Sequence, residues 1–247
     1  MSSRTALAQA PGDVIWGSNF PNSGSIGYRP DLPTAVVASS TKLFSVGTHT
    51  PIPSVNATAF AVTMYSPDNS TGPQTFYWPK IGADDTNQRI VRAATFCELQ
   101  NCVIVTGDVT SNDGSHRVTA TICVGLNDAQ TKLVLNWSRI EDQTDEWQEP
   151  ENHQAVAITA NSHRVAVASV RTTASTGRDM MGFCYDVTTG ASTCPRRVWN
   201  SGGSASNDVP VGISLLPANG GEAMVIGGTS GLDSNGSVLV LAAYQCF

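Results

Sequence analysis

The acidic side chains are the residues best placed to do chemistry. Asp84 and Asp85 stand in "ADDTNQR", Asp108 and Asp113 in "DVTSNDGSHR", and Asp208 in "SASNDV". A hard divalent cation such as Ca²⁺ takes many oxygen ligands, so these five form a candidate cation set, with Asp84, Asp108 and Asp208 as its first members. No single stretch has the complete ligand spacing of a calcium loop, and no other cofactor is expected. Hydrolysis would need two carboxylates facing each other across a groove, and Asp85, Asp108 and Asp208 are the candidates. The four histidines, His49, His116, His153 and His163, are scattered. They form no His-Glu-x-x-His pair, and no Gly-x-Ser-x-Gly elbow presents a serine nucleophile. His116, beside Arg117 and Asp113, and His153, after an acidic loop, are the candidate acid-base groups. The competing reading is that Asp and Asn serve as turn formers and the histidines as solvated loop residues.

A second kind of chemistry is recognition. In "RIEDQTDEWQEPEN" six acids fall within residues 141 to 151 around Trp147. An aromatic ring among polar groups can stack on a sugar or anchor a protein partner, and it can equally lie flat on the protein surface. With Asp84, Asp85, Arg89, Asp113, His116, His153, Arg171 and Arg178, Trp147 makes up the candidate ligand-binding set.

Positioning these residues falls to a repeat. Trp16, Trp78, Trp137 and Trp199 recur at intervals of about sixty residues, closing "DVIW", "TFYW", "LVLNW" and "RRVW". In phase with them run "LFSVGTHT", "VIVTGDVT", "VAVASVRT" and "AMVIGGTSG", each β-branched or apolar and each ending at a polar loop. A strand stands before and another after each of these runs, so a unit reads as four antiparallel strands with the tryptophan in the last. A two-sheet sandwich has no reason to repeat itself on this period. The expected fold is therefore all-β, a four-bladed β-propeller of four-stranded blades forming one domain over 1–247. Its blades are expected at 34–81, 89–140, 154–201 and 210–247, and the fourth lacks its last strand. The segment "GDVIWGSNF" (12–20) is expected to supply it and close the ring.

Between the third and fourth strands the first three units carry "DNSTG", "DAQTK" and "DVTTG". This suits a tight turn in which Asp caps backbone amides and glycine takes positive φ. An Asp-x-x-Thr-Gly turn followed by Trp resembles the repeats of bacterial quinoprotein-like β-propellers. That resemblance implies the fold alone: the vicinal-cysteine cofactor platform of the quinoprotein enzymes is missing, and so is the expectation of their redox activity. Four repeats are also similar in number to the hemopexin-type ring, whose sequence pattern is not seen. In such a ring the loops carrying the candidate residues emerge on one rim.

The bulk composition excludes some partners. A net charge of -6, with no long cluster among the 14 Lys and Arg residues, argues against nucleic acid. The apolar run "VLVLAAY" is too short to span a bilayer. Six cysteines and four Asn-x-Ser/Thr sequons, at Asn56, Asn69, Asn136 and Asn235, lean toward a secreted or extracellular glycoprotein. The spacing of Cys97 with Cys102 and of Cys184 with Cys194 suits two hairpin disulfides, while Cys123 and Cys246 are not expected to pair; buried free thiols are the alternative. The leading expectation is a binding module presenting an acidic rim to a carbohydrate or protein. The alternatives are a hydrolase or lyase acting at the central channel, and a structural or assembly protein.

Overall fold

A computed structural model describes residues 32–50, 57–66, 73–79, 87–111, 114–127, 129, 131–141, 152–173, 176–201, 206–218, 221–231 and 237–246. All its regular elements are strands. The first quartet is β1 (Leu32–Ala38), β2 (Leu43–His49), β3 (Ala59–Tyr65) and β4 (Gln74–Trp78). The second is β5 (Arg89–Cys97), β6 (Cys102–Thr110), β7 (Arg117–Leu126) and β8 (Leu133–Ile140). β9 (Asn152–Ala160), β10 (Arg164–Thr173), β11 (Gly177–Asp186) and β12 (Ser192–Trp199) form the third. The fourth group has β13 (Ser206–Ala218), β14 (Gly221–Gly231) and β15 (Ser237–Cys246). No helix among the described residues is long and apolar enough to cross a membrane.

Each strand pairs antiparallel with its neighbour in sequence, so every group is a meander. The middle strands β3, β6, β7, β10 and β11 are buried on both faces along most of their length, whereas β14 alternates buried and half-buried positions. Side chains alternate along a strand, and in β6 this sends Val103 and Val105 into an apolar cluster shared with the first quartet, while Ile104 joins a cluster shared with the third. A further cluster lies between the third and fourth groups and is built from Ala166, Met180, Met224 and Ile226, among others. The core is thus distributed between consecutive repeats, which explains why their middle strands read as nearly unbroken apolar runs.

The expected closed propeller of four blades is not found. The described strands form three sheets, of four, four and seven strands, and none closes on itself. The third and fourth groups merge because β11 and β13 pair in parallel at Gly177–Ser206 and Arg178–Asn207. First strands pack in series, β1 on β5, β5 on β9 and β9 on β13, with no comparable packing from β13 back to β1 among the described residues. The expected closing strand, 12–20, lies outside the described residues.

The turn between the third and fourth strands of the third quartet, β11 and β12, forms as its sequence implies. Asp186 Oδ1 accepts from the Thr188 and Thr189 amides at 3.0 and 2.8 Å, and Gly190 takes φ 67°. These bonds hold the Asp186 carboxyl below its ordinary range. The indole of Trp137, in the preceding quartet, donates to Val187 O at 2.9 Å, and its ring covers the Gly190 Cα so closely that a Cβ there would lie 2.6 Å from it. Trp137 therefore anchors its repeat to the turn of the next. In the second quartet Asn127 takes the capping role, its Oδ1 accepting from the Thr131 and Lys132 amides.

Candidate functional site

One irregularity recurs in all four groups, and four candidate residues, Arg89, Asp108, His153 and Asp208, lie beside it. The register between first and second strands shifts at Pro33/Ala35, Val91/Ala93, Ala155/Ala157 and Pro210/Gly212. Each is a β-bulge, with one extra residue on the first strand: Thr34, Arg92, Val156 and Val211. The bulge brings that strand against its partner. A Cβ on Gly47, Gly107 or Gly228 would lie 2.4, 2.1 or 2.4 Å from the carbonyl oxygens of Leu32, Ile90 and Val209. Three repeats therefore need glycine opposite the bulge. The third has Ser169, whose hydroxyl bonds Thr119 Oγ1 of the second quartet at 2.8 Å.

The residue after this position reaches into the next repeat. Thr48 Oγ1 accepts from the Val91 amide at 3.0 Å. At the same place in the second repeat, Asp108 Oδ1 accepts from the Ala155 amide at 2.8 Å, while its Oδ2 takes the Arg92 Nε–H at 2.7 Å. Burial pushes the Asp108 carboxyl up; Arg92 and the Ala155 N–H pull it back. Both oxygens are engaged, so Asp108 is committed to holding two repeats together.

Three residues before the extra residue in the last three groups lies a second recurring position, occupied by Arg89, His153 and Asp208, all buried. Because β5, β9 and β13 pack in series, these three candidates begin adjacent strands at one end of the molecule. Arg89 Nη1 donates to the carbonyls of Thr58 and Asn87. His153 faces Arg171 across the β9–β10 ladder, and Arg171 faces Asp179 across β10–β11. The Arg171–Asp179 ion pair is buried, at 3.0 Å, and Thr176 Oγ1 also donates to Asp179 at 2.8 Å.

Asp208 is fully buried, and its Oδ2 accepts from the Ser201 amide at 2.8 Å. Its Oδ1 has no hydrogen-bond partner among the described residues, and neither do the hydroxyls of Ser230, its register partner, and Ser201.

The remaining candidates are less concentrated. His116 Nδ1 bonds the neighbouring Ser115 hydroxyl at 2.8 Å. Arg178 sits in the parallel pairing with Asn207. Asp84, Asp85, Asp113 and Trp147 lie outside the described residues, as do the sequons at Asn56, Asn69 and Asn235. The Asn136 amide donates to Cys123 Sγ at 3.7 Å. Among the described residues, Asp108 and Asp208 join no group of three potential metal ligands. The sequence reading passed over Arg92 and Asp179. Arg92 could have been noticed as a charge interrupting the apolar strand "RIVRAATF".

The cysteine pairing differs from expectation. The disulfide joins Cys194 to Cys246, whereas Cys97, Cys102, Cys123 and Cys184 are buried thiols. Cys97 and Cys102 are register partners, as are Cys184 and Cys194, so the hairpins were read correctly and the bridges were not. Directly opposed residues hold their Cβ atoms about 4.5–5.5 Å apart, wider than the separation of about 3.8 Å that a disulfide favours. Cys246, arriving from β15 with its Cα 5.3 Å from that of Cys194, makes the bridge instead.

No protein-family model matches the chain, and no curated protein matches it. Among solved structures, it is similar to the tail fiber of Staphylococcus aureus phage P68, with 12% identity and a TM-score of 0.28. The match covers 87% of this chain and 50% of that one, so the chain spans about half the length of the tail-fiber protein.

Proposed function

We propose that the chain is an extracellular binding module that takes a carbohydrate or protein ligand at the end where Arg89, His153 and Asp208 begin their strands. The observation that carries this reading is the cluster of partnerless polar groups at Asp208. A buried carboxylate oxygen without a donor costs free energy until something supplies one. Here one carboxylate oxygen and the hydroxyls of Ser201 and Ser230 all lack partners among the described residues. One acceptor beside two hydroxyls matches the mixed donor-acceptor edge of a sugar. The disulfide is in keeping with an oxidising compartment.

Hydrolysis is the less favoured reading, because it needs two carboxylates facing each other across a groove, and of the two described candidates Asp108 has both oxygens engaged, which leaves Asp208 alone. A glycan array and a partner pull-down, run on the unaltered chain and on Asp208→Asn, test the proposal. Binding that weakens at least tenfold in Asp208→Asn at unchanged melting temperature is expected. No binding of the unaltered chain in either assay would overturn it.

A further inference from the structure

The three sulphurs that converge between β11, β12 and β15 have no part in that binding reading. Cys184, Cys194 and Cys246 are all buried, with their Sγ atoms within 4.8 Å of one another. The disulfide uses two of them. The third, the Cys184 thiol, lies 3.4 Å from Cys246 Sγ and 3.6 Å from Met224 Sδ. Cys184 is also the register partner of Cys194, so one sulphur of the bridge is flanked by two competing cysteines on neighbouring strands. Because two of the sulphurs are already bonded to each other, the cluster offers a metal a single thiol. Covalent exchange, not coordination, is the chemistry it carries.

We propose that this cluster is a thiol–disulfide exchange site in which Cys246 passes between Cys194 and Cys184. The Cys184 thiolate attacks Cys246 Sγ; a Cys184–Cys246 bond forms as the Cys194–Cys246 bond breaks, and Cys194 leaves with the electron pair. Cys194 then takes up a proton to replace the one Cys184 lost, so the step is neutral in protons and electrons and needs no external oxidant. The surroundings favour the leaving group, because Arg164 Nη1 lies 3.9 Å from Cys194 Sγ.

The effect of exchange is to move the staple. In one state β15 is tied to the outer strand β12, and in the other to β11, one strand further in. The attacking group is held back by its environment. Burial pushes the Cys184 thiol up to about 12, Arg164 of β10 lowers it and Glu222 of β14 raises it. Arg164 and Glu222 pair with each other at 3.4 Å, and Tyr185 is the adjacent titratable group on β11. Exchange is accordingly slow at neutral pH and quickens by about tenfold for each pH unit from 7 to 10, following the thiolate fraction.

The test uses the oxidised, unaltered chain, incubated at pH 7 to 10, quenched in acid, and mapped by peptide mass spectrometry after its free thiols are blocked. Two bridged peptide pairs, Cys194–Cys246 and Cys184–Cys246, are expected, approaching one ratio at a rate that rises with pH. Cys194–Cys246 as the sole bridge at every pH and time would overturn the proposal. A second arm refolds Cys194→Ser in a glutathione buffer. A Cys184–Cys246 bridge is expected there; a folded variant, by its melting curve, that left Cys246 unbridged would overturn the proposal. Should the variant not fold, mapping of the unaltered chain decides alone.

Discussion

The junction of the second and third repeats and that of the third and fourth meet the same need by different means. At the former, the Asp108 carboxylate accepts the Ala155 amide, and the Trp137 indole donates to Val187 O. At the latter, the place of Ala155 is taken by Pro210, which has no N–H to give, and the place of Asp108 is taken by the apolar Val170. Trp199 Nε1, the counterpart of the Trp137 indole, has no partner among the described residues. In compensation, this junction has parallel backbone pairing between β11 and β13 and the Cys194–Cys246 bridge. At the bulge and the tryptophan, polar side-chain stitches join the former pair of repeats; among the described residues the latter pair lacks both and has backbone pairing and a covalent bond, beside the Arg164–Glu222 ion pair further along. The acceptor and the amide it serves have changed together, as the cost of a buried unpaired carboxylate requires.

The contrast can be broken most forcefully at Asp108. Asp108→Ala leaves the Arg92 guanidinium and the Ala155 amide without their acceptor, and urea unfolding should show a loss of about 4 kcal/mol. Opposite the bulge, Gly107→Ala drives a Cβ onto the Ile90 carbonyl and should cost about 3 kcal/mol, whereas Ser169→Gly, in the repeat that tolerates a side chain, should cost about 1 kcal/mol or less. A double-mutant cycle sharpens the comparison. Val170→Asp alone buries a carboxylate with no amide to serve, and adding Pro210→Ala restores the amide, so the pair should recover about 2 kcal/mol relative to additivity. A coupling near zero would mean that the two positions do not face each other.

A comparably small effect belongs to the Asp186 turn. Asp186→Ala should cost about 1 kcal/mol at neutral pH, the usual scale for losing a cap of this kind. Its carboxyl is lowered in the folded chain, so the stabilisation is present above the ordinary value of 3.8 and is lost as pH falls through the folded one. Thermal melts of variant and parent should therefore differ near pH 7 and converge in acid.

The repeat and its strands were legible because their signals are local. A tryptophan closing a strand, an unbroken apolar run between two packed faces, and an Asp-x-x-Thr-Gly turn each state their geometry in a few residues, and β10, β11 and the Asp186 turn follow them closely. Closure was not legible in this way, since it depends on how β13 meets β1 and β11. The two-residue parallel pairing that merges the third and fourth groups has no periodic signature at all. The candidate site divides along the same line. Arg89, His153 and Asp208 were selected as rim residues and are instead buried near the starts of first strands that pack on one another in series, and Arg171 is buried near the end of β10 opposite His153. The disulfide was misassigned for a related reason: sequence spacing favours partners within a hairpin, while Cys194 and Cys246 are 52 residues apart.

The meander also implies an order of events. Every strand in β1 to β4 pairs with its immediate neighbour in sequence, and the same holds in each later group. Hairpins of this kind close short loops, which is the fast part of β folding. The stitches between repeats span far longer separations: 43 residues from Thr48 to Val91, 47 from Asp108 to Ala155 and 50 from Trp137 to Val187. Each group can therefore zip from its own turns before docking on its neighbour. The junction bonds, being formed last, should govern the rate at which the folded chain comes apart more than the rate at which it assembles.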